Sequence, residues 1–189
     1  MHSPDLPIRT ERLTLRAITP ADADAMLGYK SIPEVVRFVP YGVLDRAAVE
    51  EKIRSVWSRS QFDQPGDAAC LAVEESATGR LIGDVVFFWR SETDRTGEVG
   101  YIFHPDVTGR GYATEAVRAL LEVGFGPMGL HRIIARIDER NEASVRVVER
   151  LGFRREAREV DSILVKGEWA TMLTYALLEH EWADPEFTS

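Results

Sequence analysis

Apolar and polar residues alternate from Leu13 to Ile18, the two-residue period of a strand with one buried face. Thr19-Pro20-Ala21-Asp22 then reads as a helix start. Thr caps, Pro takes the first turn, and Asp sits at the positive end of the dipole. That helix is expected to reach about Lys30. A second is predicted from Asp45, with Val49, Ile53, Val56 and Trp57 on one face. Pro33, Pro40 and Gly42 punctuate an irregular stretch, Ser31 to Leu44, between them. Ala69 to Glu74 and Leu81 to Trp89 are predicted strands around a Thr78-Gly79 turn, and Arg90 to Thr96 is a polar loop. Glu98 to Phe103 is the next strand. Tyr112 to Phe125 is a helix ended by Gly126-Pro127, and Arg132 to Ile137 a further strand. Asn141 to Leu151 is a helix stopped by Gly152. Ser162 to Val165 and Thr171 to Leu178 are expected to pair across Lys166-Gly167. No repeat or linker interrupts this mixed α/β order.

The segment that carries chemistry lies between the strand Glu98–Phe103 and the helix that follows. It reads His104-Pro105-Asp106-Val107-Thr108-Gly109-Arg110-Gly111-Tyr112-Ala113-Thr114. Glycine allows positive φ and close ligand approach, and the first N–H groups of a helix lack internal partners. Together they form a cradle of donors for phosphate. A Walker A loop would need Lys and then Ser or Thr after the last glycine, and Gly111 is followed by Tyr112. A dinucleotide fingerprint would need a third small residue and a place after the first strand; Gly109, Gly111 and Thr114 fit it poorly. Taken alone, the loop is also compatible with an ordinary turn before a surface helix.

The run Thr108 to Ala113 resembles the pyrophosphate loop of the GNAT acetyltransferases, Gln/Arg-x-x-Gly-x-Gly/Ala, with Thr108 in place of the long polar residue. Gly97 to Phe103 looks like that family's fourth strand. Asn141-Glu142-Ala143-Ser144, followed by Leu151-Gly152-Phe153, looks like its later cofactor-binding helix. Ile8 to Arg16 and Gly167-Glu168-Trp169 resemble the RimJ/RimL branch. The resemblance implies an α/β GNAT fold, a mixed central sheet splayed between the fourth and fifth strands and flanked by helices. It implies a single domain over residues 8–182, with tails at 1–7 and 183–189.

The same resemblance implies acetyl-CoA as co-substrate. Backbone groups near Ile102, Phe103 and His104 would meet the thioester and pantetheine arm. Gly109, Arg110, Gly111, Tyr112, Ala113 and Thr114 would hold the pyrophosphate, and Asn141 the pantetheine amide, unless its side chain caps the helix. An amine must lose a proton to attack. Glu98 is the candidate base, with an ion-paired strand glutamate as its other reading. Many members carry a tyrosine thiolate donor where this chain has Val148. Ser144 matches the RimJ/RimL pattern instead, its bland role being a bond to a carbonyl one turn earlier. Tyr29, Phe38, Tyr41, Trp57 and Trp89 are candidates for the acceptor pocket, each also an ordinary core residue.

Composition narrows the partners. A net charge of −8 argues against a general nucleic-acid binder, which would show a basic footprint. No apolar run approaches about 20 residues, so no membrane span is expected. Met1 to Pro7 has no apolar signal core, and the single cysteine, Cys70, fits a reducing, cytoplasmic compartment. His131 and His180 have no spaced partners, so no metal site is expected. The expected activity is acetyl transfer to a primary amine, either a small molecule or a protein N-terminus. A non-catalytic acyl-CoA sensor is the alternative, and a homodimer is left open.

Overall fold

The computed structural model describes residues 5–183. The expected tails, 1–7 and 183–189, fall mostly outside that range. Eight strands form one sheet: β1 (Ile8–Arg9), β2 (Leu13–Ala17), β3 (Ala68–Glu75), β4 (Arg80–Ser91), β5 (Thr96–Phe103), β6 (Arg132–Asp138), β7 (Arg154–Val165) and β8 (Glu168–Leu178). Their spatial order is β1-β2-β3-β4-β5-β6-β8-β7. Every pairing is antiparallel except β5 with β6. Because β1 precedes the first strand read from the sequence, the family's fourth strand is β5.

Helices α1 (Ala23–Lys30) and α2 (Arg46–Lys52) cover one face, and α3 (Tyr112–Phe125) and α4 (Glu142–Arg150) the other; α5 is Glu179–Trp182. On the α3/α4 side Leu15, Val85, Phe87, Leu120 and Ile133 are buried in one cluster. On the α1/α2 side Met26, Tyr29, Val49, Ile53, Trp57, Cys70 and Ile102 form a second. The Asp45 carboxylate caps α2 by accepting from the Ala48 N–H at 2.8 Å.

Two expectations need correction. Val56 is 49% exposed, although Val49, Ile53 and Trp57 are buried. Residues Ile53–Trp57 form a π turn in which the Ser58 N–H bonds the Ile53 carbonyl, and this wide turn swings Val56 out of the α-helical stripe. The terminal hairpin is far longer than the predicted segments. Arg154 to Val160 lies on the sheet edge with most side chains exposed, so it carries no alternating pattern. The turn itself stands where expected, at Lys166 and Gly167 with φ +52° and +86°. Positive φ at both positions is the hairpin turn that matches strand twist.

Candidate active site

β5 leads into the glycine loop. A short 3₁₀ turn, Pro105–Val107, follows His104, whose Nδ1 accepts from the Asp106 N–H at 3.2 Å. Gly109 and Gly111 take φ +79° and +81°, which side chains resist. The Glu115 N–H closes the first α3 bond, to the Gly111 carbonyl, at 3.0 Å. The N–H groups of Tyr112, Ala113 and Thr114 precede that bond, and no side chain caps the helix. Three N–H groups without a partner inside the helix therefore stand at the positive end of the 14-residue α3. Tyr112 contributes only its N–H, because its ring is buried and its hydroxyl donates to Glu75.

Thr108 leaves the loop without its long polar side chain, and Arg12 stands nearby. Its Nη1 donates to the Arg110 carbonyl at 3.0 Å, and its guanidinium lies 4.6 Å above the Tyr112 ring. Glu115 anchors it through Nε at 2.6 Å. The other guanidinium nitrogen lies 3.4 Å from where a Gly111 Cβ would stand. A surface cavity of about 640 Å³ adjoins the loop, lined in part by Arg9, Arg12, Arg118 and Arg150. Sequence reasoning missed Arg12 because it lies almost a hundred residues from the loop it serves.

β5 and β6 pair only at Thr96–Glu98 against Arg132–Ile134, and beyond those residues the ladder ends. The phase of the β5 backbone follows from one bond. The His104 N–H donates to the Ile82 carbonyl at 2.8 Å, in line with the Asp84–Ile102 and Phe88–Glu98 pairs. Residues 98, 100, 102 and 104 therefore turn their N–H and carbonyl toward β4. Val99, Tyr101 and Phe103 turn theirs toward the gap. This corrects the expectation at Ile102: its amide faces β4, and the free edge belongs to Tyr101 and Phe103. Gly83 admits this packing, since a Cβ there would lie 2.5 Å from the Ile102 carbonyl oxygen.

The side chains of Glu98 and Ile102 face the α1/α2 layer, with Gly100 between them on the same face. Glu98 is mostly buried and accepts from Arg90 Nε at 2.8 Å. Tyr41 and Phe38, from the loop between α1 and α2, are half-buried on this side. The Arg37 and Arg140 guanidinium groups approach Phe38 at 5.1 and 5.9 Å. Two acceptor candidates are displaced. Tyr29 has no exposed surface; its hydroxyl donates to Asp84 at 2.6 Å, so it supports the site from behind. Trp89 packs on the opposite face against Phe62, leaving the strand alternation to place Phe88 on the α1/α2 side. Trp57 is buried beside Tyr41, ring centroids 5.8 Å apart.

Across the gap, Asn141 caps α4 by accepting from the Ser144 N–H at 3.2 Å, which leaves its amide NH₂ for a ligand. The Ser144 hydroxyl makes no bond to a carbonyl one turn earlier, unlike Ser31 and Ser55, which bond Leu27 and Glu51 in that way. Its carbonyl accepts from the Tyr101 hydroxyl at 3.1 Å, so Tyr101 ties β5 to α4 beside the gap. Burial raises the Tyr101 phenol to about 12. Val148, at the usual tyrosine position, is fully buried.

The glycine loop with its free helix N–H groups, the splayed parallel pair and the polar groups on both sides of the opening thus lie together at one end of β5. The family profile described as the acetyltransferase (GNAT) domain matches residues 12–154. The chain belongs to the GNAT acetyltransferase family. It is similar to the "Uncharacterized N-acetyltransferase YnaD" of Bacillus subtilis (strain 168), 35% identical over 175 residues, which cover 93% of this chain and 98% of that protein. It is also similar to an acetyltransferase (GNAT family) from Bacillus anthracis, at 32% identity and TM-score 0.83, covering 93% of this chain and all of that one. The spermidine N-acetyltransferase of Vibrio cholerae, solved with CoA and spermine, shares the fold at TM-score 0.77 and 20% identity, covering 93% and 100% of the two chains. The GNAT architecture, with its parallel β5–β6 pair, is thus shared with solved members of the family. Among the described residues, no helix is long and apolar enough to cross a membrane.

Proposed function

We propose that this GNAT acetyltransferase transfers the acetyl group of acetyl-CoA to a small primary amine by direct attack in a ternary complex. The observation that carries the reading is the alignment of two features. The Tyr112–Thr114 donors stand at one end of β5, and the unpaired edge Tyr101–Phe103 leads away from them. A pyrophosphate on the donors would lay the pantetheine arm along that edge. The Tyr101 or Phe103 N–H would then meet the oxyanion that forms on attack. Catalysis would come from positioning and charge stabilisation, with no acyl-enzyme required.

In this reading Glu98 takes the amine proton, through water because Arg90 occupies one carboxylate oxygen. The Ser144 hydroxyl, held at the first turn of α4, stabilises the departing thiolate. Asn141 offers its amide N–H to the pantetheine arm. The RimJ/RimL-like assignment rests on Ile8–Arg16 and Gly167-Glu168-Trp169, and that branch includes enzymes acting on protein N-termini. A small acceptor is favoured here by Lys166. From the β7–β8 turn it donates to the Val36 and Arg37 carbonyls, strapping the hairpin to the loop that carries Phe38 and Tyr41. A polypeptide would have to displace that strap.

Release of free CoA from acetyl-CoA, followed across small amines, polyamines and peptide N-termini, tests the proposal. Turnover is expected with small amines. Tight CoA binding without turnover on any amine would favour the non-catalytic sensor.

A further inference from the structure

Asp84 is the one charged residue in the apolar run Leu81–Trp89 of β4. Two donors meet its Oδ2: the Lys30 ammonium at 2.6 Å and the Tyr29 hydroxyl at 2.6 Å. Lys30 has no exposed surface. It also donates to the Tyr41 hydroxyl at 3.1 Å and lies 4.4 Å from the Trp57 ring centre. Burial alone would push Lys30 down, but the Asp84 charge, with Tyr41, more than offsets it and the ammonium is kept. Asp84 itself is different. Its side chain remains 13% exposed. Among the described residues no donor reaches Oδ1, and Oδ1 is not among the buried polar atoms left without a partner. The carboxylate is therefore held through Oδ2, while Oδ1 keeps some access to solvent.

The place of that open oxygen matters. Asp84 pairs with Ile102 on β5, and such a hydrogen-bonded pair brings the Cα atoms to about 5.5 Å. Its side chain shares the α1/α2 face with Glu98 and Gly100. Val86, the residue opposite Gly100, fills the place a Gly100 side chain would take, 2.9 Å from where its Cβ would stand, and lies between the two carboxylates on that face. Asp84 thus stands beside the stretch of β5 whose far edge, Tyr101 and Phe103, faces the gap. A buried ion pair is a poor device for stability, because apolar residues of similar size often do as well. Burying a lysine to aim a carboxylate is explained better by a ligand for that carboxylate.

We infer that Asp84 Oδ1 binds the amino nitrogen of the acceptor and orients it for attack. The inference rests on the acetyl-transfer reading and adds to it a recognition residue and a class of acceptor group, an amine presented as a hydrogen-bond donor. The chemistry balances in the usual way. The nitrogen lone pair forms the new N–C bond, the C–S bond breaks, and its electron pair leaves on sulfur. The nitrogen proton passes toward Glu98 through water while Asp84 holds a second N–H.

Asp84→Asn alone would leave Lys30 charged and unpaired in the core, so the informative variant is Lys30→Met with Asp84→Asn, which removes both charges at similar volume. Asp84→Glu, which keeps the ion pair, is the second variant. Calorimetry with n-butylamine on the CoA-loaded protein should show about 10- to 100-fold weaker amine binding in the double variant, the loss of one hydrogen bond to a charged group. CoA affinity should stay unchanged, and kcat/KM for amines should fall in both variants. Wild-type turnover with the same kcat/KM and amine affinity in both variants would overturn the Asp84 role and leave the acetyl-transfer reading intact. A wild type that binds CoA but neither binds nor acetylates any amine would overturn both.

Discussion

Gly111→Glu separates the folding role of the loop from its ligand role. Gly111 sits at φ +81°, where a residue with a Cβ costs about 1–2 kcal/mol. The space around it is open: the nearest atom to an added Cβ is an Arg12 guanidinium nitrogen at 3.4 Å. Arg12 and Arg110 can accommodate a new carboxylate, so the variant is expected to fold with a modest loss of stability. Its binding should suffer far more. The carboxylate would stand where the Tyr112, Ala113 and Thr114 N–H groups receive the pyrophosphate. Each such bond to a charged group contributes about 1.5–3 kcal/mol. Losing two of the three amounts to about 3–6 kcal/mol, or roughly 10²–10⁴-fold in Kd. Gly111→Ala supplies the control, since it carries the backbone cost without the charge and should weaken CoA by no more than about tenfold. Calorimetric titration with CoA reads both, with circular dichroism matched to wild type. A folded Gly111→Glu protein with wild-type CoA affinity would refute the phosphate assignment.

Glu98→Gln should lower turnover by about 10²–10⁴-fold with CoA affinity unchanged, and the deficit should shrink at high pH, where the amine is already neutral; near-normal turnover at neutral pH would leave Glu98 only its Arg90 ion pair. Ser144→Ala should reduce kcat more than CoA binding, since the thiolate needs the hydroxyl more than the thioester does; a full kcat across the pH range removes Ser144 from the mechanism. Burial works to raise the Asp22 carboxyl, yet the Arg16 fork at 2.8 and 2.9 Å and the Thr19 N–H at 2.8 Å bring it below its ordinary value. A depressed folded value stabilises the fold above the unfolded one, about 3.9, and that stability is lost as pH falls through the depressed value. Asp22→Asn should therefore lower Tm at pH 7 and converge on wild type in acid, while a pH-independent gap would contradict the linkage. Lys166→Met should raise kcat/KM for bulky amines relative to short ones, and an unchanged ratio would show that the strap does not limit the acceptor.

The loop was legible in the sequence because its signals are local. Gly109, Gly111 and the helix pattern after them dictate positive φ and free N–H groups wherever the rest of the chain lies. α3 was bounded at both ends for the same reason, by Gly111 and Gly126. The arrangement of the acceptor side was harder to read, because its contacts join distant segments. Arg12 reaches Arg110, Lys166 reaches Val36, and Lys30 reaches Asp84. One of these did leave a trace, a lone aspartate within an apolar strand, where an unpaired charge would be expensive. Trp89 was misplaced for want of a strand phase: alternation along β4 sends Trp89 and Phe87 to one face and Phe88 to the other. The edge strand β7 was half missed because few of its residues are buried, so burial left no period in its sequence.

The most direct test of the account is product mass after incubation of the purified protein with acetyl-CoA and a set of small primary amines. The account predicts an amine heavier by one acetyl group, formed in step with free CoA and absent when Gly111→Glu replaces the wild type. CoA release with no acetylated amine, or no release at all from a protein that binds CoA tightly, would contradict it.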